Sequence, residues 1–237
     1  MNRRAFIAGL GGFGAGWPLA SHAQPPSDAA PAAQQSGHLD WGAWTWRPSI
    51  VVVAREGDPR VQAVHQARNF WNAELSKLDT SFLLGPVSTV IRDPRIKDFR
   101  FSSYDPLSPP ELLKKTDGDI IVALSEDYFL SFTAGWVSPK KLLIQIESPQ
   151  TYRMTAPNGA ANVVAHELGH AIGLDHNETR TALMCGAAGT WCFFNFPTEG
   201  FLPLTDIDKI RLMELYPAAW RDERPRKWQG DALRGAG

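Results

Sequence analysis

The stretch His166-Glu167-Leu168-Gly169-His170-Ala171-Ile172-Gly173-Leu174-Asp175-His176 constrains this chain more than any other. Residues four apart share one face of a helix, so a helix here presents the imidazoles of His166 and His170 side by side. Glu167 then stands beside that pair rather than within it. A helix continuing past His170 would carry His176 away. Gly173 offers the solution, because glycine tolerates the left-handed conformation that ends a helix and turns the chain. After such a turn His176 can close on the other two imidazoles. Three neutral histidines suit one zinc ion that keeps its fourth position for water and lowers that water's pKa towards about 7. Glu167 is placed to act as general base for that water. A purely structural zinc usually has four protein ligands, and the sequence offers no convincing fourth. The alternative is a buried helix with chance histidines, but half of the chain's six histidines fall in this stretch.

The surroundings read as one domain of mixed elements. Ser49 to Arg55 is β-branched and predicts a strand, and Asp58 to Leu78 carries apolar residues at helical spacing with Asp58-Pro59 at its start. Strands are expected within Ser88 to Arg92 and Asp119 to Leu124. Phe132 to Val137 and Lys141 to Glu147 predict a hairpin around Ser138-Pro139-Lys140. A second long helix is expected over Asn158 to Leu174. A third is expected over Asp206 to Tyr216, with Thr205 and Asp208 as a capping box and Pro217 at its end. That order predicts an α/β or α+β domain with one sheet. Trp41, Trp44 and Trp46 could bind a ligand, but they read more simply as apolar anchors for the segment before the first strand. Asp117 and Asp119 read as a solvated turn.

The central stretch resembles the HExxHxxGxxH signature of the metzincin metallopeptidases. Ala182-Leu183-Met184 is similar to the Met-turn of the matrixin branch, and Leu204-Thr205 through Tyr216-Pro217 is similar to the final helix of bacterial matrixin-like proteins. Gly118-Asp119-Ile120 is a weaker echo. The resemblance runs from about Ser49 to Pro217 and is specific from His166 to Met184. It implies a twisted mixed sheet with a long helix, an active-site helix and a smaller C-terminal subdomain. It implies Phe132 to Val137 as an edge strand facing the cleft, Met184 and Gly173 as structural support, and zinc-dependent cleavage of a peptide substrate. Asn177 stands where matrixins usually have serine, and Cys185 where they usually have an aromatic residue. No cysteine precedes the motif, so a cysteine switch is absent. Ser125 to Ile146 contains no histidine, so a second, structural zinc is not supported; nor is calcium, for want of a dense acidic loop. Two other classes stay open: a catalytically silent binding protein on the same scaffold, and a zinc hydrolase of cell-wall peptides.

Charge excludes some partners. The chain has 24 basic and 25 acidic residues, which argues against nucleic acid and against a polybasic membrane surface. No apolar run predicts a permanent membrane span, and a monomer is expected. Residues 1–23 read as an export signal, with Arg3-Arg4, a Gly/Ala-rich apolar stretch and Ser21-His22-Ala23 before the cleavage point. They resemble a twin-arginine signal, an ordinary Sec signal being the alternative. Residues 24–37 read as a flexible leader with no evident zinc ligand, 38–217 as the catalytic domain and 218–237 as a polar tail. A periplasmic or extracellular location follows as an expectation. In that compartment Cys185 and Cys192 are expected to form a disulfide, free thiols being the alternative.

Overall fold

A computed structural model describes residues 43–94, 110–137, 140–186, 192, 196 and 199–224. The expected signal at 1–23, the leader at 24–37, Trp41, Ser138-Pro139 at the hairpin turn and positions 225–237 of the tail lie outside the described residues.

Among the described residues five strands form one sheet in the order β2-β1-β3-β5-β4. They are β1 (Ile50–Ala54), β2 (Val87–Ile91), β3 (Ile120–Leu124), β4 (Phe132–Val137) and β5 (Lys140–Ile146). The first three and β5 run parallel, and β4 pairs antiparallel to β5 as an edge strand, with Thr133 opposite Ile144. Among the described residues five helices accompany them: α1 (Arg60–Ser76), α2 (Glu111–Lys114), α3 (Tyr152–Thr155), α4 (Gly159–Ala171) and α5 (Asp206–Leu215). The four-residue α2 and α3 were not expected, being too short to show a helical period. The fold is an α+β domain with a mixed sheet.

Alternation along β1 explains the layering. Ile50, Val52 and Ala54 join a core with α1 and α4, while Val51 and Val53 face a second cluster that includes Leu113, Ala134 and Trp136. Both faces of the central strands are therefore covered, as the unbroken apolar runs IVVVA and IIVAL require. By the same alternation, Thr133 lies on the helix side of β4, between Phe132 and Ala134, which face the second cluster.

Helix α1 starts where the Asp58 carboxylate accepts from the Arg60 N–H at 2.9 Å. The Arg60 guanidinium is 3% exposed and donates to the carbonyls of Leu124, Ser125 and Glu147 and to the carboxylates of Asp58 and Glu126. It joins the start of α1 to the carboxyl ends of β3 and β5. Further along α1, the buried Trp71 donates its indole N–H to Ala165 O at 2.8 Å. That bond and the surrounding core fix α1 against α4.

The last turn of α4 is held from two distant parts of the chain. Trp44 Nε1 donates to Ala171 O at 2.8 Å, and the Tyr216 hydroxyl donates to Ile172 O at 3.1 Å. These are carbonyls that a helix end leaves without an internal partner. Tyr216 stacks on Phe82 with ring centroids 3.7 Å apart, and burial pushes its phenol pKa up. The expected capping box at α5 is present between Thr205 and Asp208.

Past Pro217 the chain keeps packing on the domain, in a stretch that reads from composition as a polar tail. Trp220 is buried and donates to Trp44 O at 2.8 Å, Glu223 N donates to Thr45 O, and Arg224 reaches Asp119 Oδ2 at 2.9 Å. Asp119 also accepts from the Ser49 N–H and hydroxyl, both at 2.7 Å, so it is a bridging group rather than part of a solvated turn. No helix among the described residues is long and apolar enough to cross a membrane.

Candidate metal centre

Helix α4 carries His166, Glu167 and His170, and its end shows how His176 is returned. The Gly173 N–H donates to His170 O and the Leu174 N–H to Gly169 O, each at 3.0 Å, while Gly173 has φ +96°. This is a Schellman termination with glycine in the left-handed position. A Cβ on Gly173 would also lie 2.7 Å from Leu215 Cδ1 of α5.

The returning segment is tied down at once. Asn177 N donates to Met184 O at 2.7 Å, and Gly186 N to Asn177 O at 3.2 Å. The Asn177 amide donates to both carboxylate oxygens of Asp208, at 3.2 and 3.1 Å. Cys185 and Cys192 are joined by a disulfide directly after Met184.

The three imidazoles converge through their Nε2 atoms. The separations are 3.2 Å from His166 to His170, 3.2 Å from His166 to His176 and 3.0 Å from His170 to His176. Ligands at zinc–nitrogen distance around a tetrahedral ion lie about 3.3 Å apart, so this set fits with small adjustment. The Nδ1 atoms of His166 and His170 meet Leu183 O at 2.7 Å and Leu174 O at 2.8 Å. A carbonyl can only accept, so each Nδ1 carries the proton and each Nε2 presents a lone pair. Burial lowers the pKa of both rings to about 4, and also lowers that of His176. In all three the shift favours the neutral form a metal ligand needs.

Met184 is fully buried and packs against Gly169 of α4. A Cβ on Gly169 would lie 2.5 Å from its sulfur and 3.0 Å from Trp71, so only glycine lets α4 settle there. Gly186 covers the His176 ring in the same way, since a Cβ there would meet ring atoms at 2.5 to 2.8 Å. Gly169 lies inside the motif, yet the part played by Met184 against it depends on a contact the sequence does not display.

Glu167 is 4% exposed. Burial raises its carboxyl pKa, against the lowering pull of His170, a hydrogen bond from Thr133 and Arg153. The Thr133 hydroxyl lies 2.8 Å from Glu167 Oε2 and 2.9 Å from Glu167 O. Sequence reasoning missed Thr133. Its signal was a polar residue on the helix side of an otherwise apolar strand.

The mixed sheet, the two histidines on α4, the glycine turn that returns a third and the buried methionine against Gly169 define a metzincin-type metal centre. Residues 100–216 match the family model Peptidase_M10, Matrixin, and over that segment the chain is similar to the matrixins. No curated protein matches it.

Proposed function

We propose that the protein is an exported zinc-dependent endopeptidase. The observation that carries this reading is the convergence of the Nε2 atoms of His166, His170 and His176 beside the buried carboxylate of Glu167. His166, His170 and His176 would hold the ion. Bound there, zinc supplies Lewis-acid activation of a water and of the scissile carbonyl. Glu167 accepts the proton lost by the attacking water and delivers it to the leaving amine, so the carboxylate is restored each cycle. Strand β4 ends the strand order, and an extended peptide adding beside it as a further strand would be held through main-chain hydrogen bonds. The Cys185–Cys192 disulfide supports an oxidising location outside the cytoplasm.

Glu167→Ala should keep its zinc and lose roughly 10²–10⁴-fold in kcat. Metal content and cleavage of a mixed peptide library, on wild type and variant, test this. Continued cleavage by the variant would refute the base assignment. Zinc without cleavage in the wild type would point instead to a binding protein, and release of peptidoglycan fragments to a cell-wall substrate.

A further inference from the structure

We propose that Thr133 is a positioning residue for Glu167, selecting which carboxylate oxygen serves as the base. The inference rests on the peptidase reading above. Its observations are the two contacts of one hydroxyl, 2.8 Å to Glu167 Oε2 and 2.9 Å to Glu167 O, made from the edge strand β4.

A threonine hydroxyl has one proton to give. While Glu167 is a carboxylate, the charged Oε2 is the stronger acceptor and takes that proton. Among the described residues, Oε1 accepts no hydrogen bond, so Oε1 is the oxygen left to receive the water's proton. Once Oε1 is protonated, Oε2 becomes a weaker, neutral acceptor. The same hydroxyl can then turn to Glu167 O without moving its oxygen. When the proton passes to the leaving amine, the bond to Oε2 forms again. Thr133 thus has a partner in both protonation states of the base.

Its place on β4 adds a second consequence. A peptide bound along that edge would order the strand that holds the base. Binding and base alignment are thereby linked through one side chain, while the strand's main chain does the binding. Loss of the hydroxyl should consequently affect kcat far more than KM.

The test uses the zinc-loaded full chain as wild type, Thr133→Val, Thr133→Ala and Thr133→Ser, on one peptide selected from the library. Zinc content and thermal melting establish that each variant is folded and loaded. Thr133→Val should lose roughly ten- to a hundredfold in kcat with KM little changed, and Thr133→Ser should recover most of it. Thr133→Ala is the second hydroxyl-free variant should Val not fold. Binding of acetohydroxamate by calorimetry gives a readout without turnover. Its chelating hydroxyl donates to the base, so affinity should fall in Val and return in Ser. A folded Thr133→Val or Thr133→Ala with wild-type kcat overturns the proposal, as does a Thr133→Ser no better than Val. A wild type that binds zinc and cleaves nothing sinks the peptidase reading, and the hydroxamate comparison then still decides Thr133. A wild type without zinc removes both.

Discussion

Two of the three candidate ligands stand on a helix and the third on a loop, and the two regions hold their histidines by different means. On α4, His166 and His170 owe their relation to helical geometry, and backbone carbonyls at Leu183 and Leu174 fix their tautomers. Both rings are largely enclosed, with pKa values near 4. His176 is exposed on one side, and its position depends on the Gly173 turn, the main-chain bonds between Asn177, Met184 and Gly186, and the link from Asn177 to Asp208. A loop can be as well placed as a helix, but only by drawing on residues far along the chain.

The largest effect should come from removing one ligand of each kind. His170→Ala and His176→Ala should each weaken zinc binding by more than the ~10–100-fold typical of groups that merely support a ligand. Competition with a chelator of known affinity measures this. Near-wild-type affinity in His176→Ala would break the comparison, reducing the loop to a cover.

Acid should weaken the fold through the helix pair. His166 and His170 fall from an ordinary 6.5 to about 4 in the folded state. The unfolded chain therefore binds more protons across that interval, and stability falls as pH falls. In metal-free protein the contribution of these two rings should be fully present above pH 6.5 and be lost progressively down to about pH 4. Urea melts across that range are the check, and a flat profile would show both rings open to water.

The smallest effect is expected at the loop's tether. Asn177→Ala removes two donors to a buried carboxylate and should cost about 1–2 kcal/mol. Chemical denaturation reads that cost, and an unchanged midpoint would mean that α5 does not brace the loop.

What could be read from the sequence follows the same divide. The i, i+4 histidines, the glycine turn, the apolar strands and the Thr205–Asp208 capping box are local patterns. Each appears in the structure near its expected place, with α1 and α4 starting a residue or two later than the periodicity suggested. The missed features are contacts between distant positions. Arg60 looks like a surface arginine until β3 and β5 bring their carbonyls to it. Trp220 looks like part of a polar tail until Trp44 lies beside it. Thr133 has no visible task until α4 packs under β4. Local physics specifies the elements, whereas which side chains meet is decided only when the sheet assembles.

The bond from Trp220 to Trp44 spans 176 positions, and Trp44 in turn holds the Ala171 carbonyl at the end of α4. During synthesis, all three histidines leave the ribosome before the residues that complete this brace. A nascent chain that has exposed its three clustered histidines still lacks Trp220, so the brace behind them is finished late and as a property of the whole domain. Premature release of the chain before Trp220 would leave the histidines in place along the sequence, on a helix whose end is only partly secured.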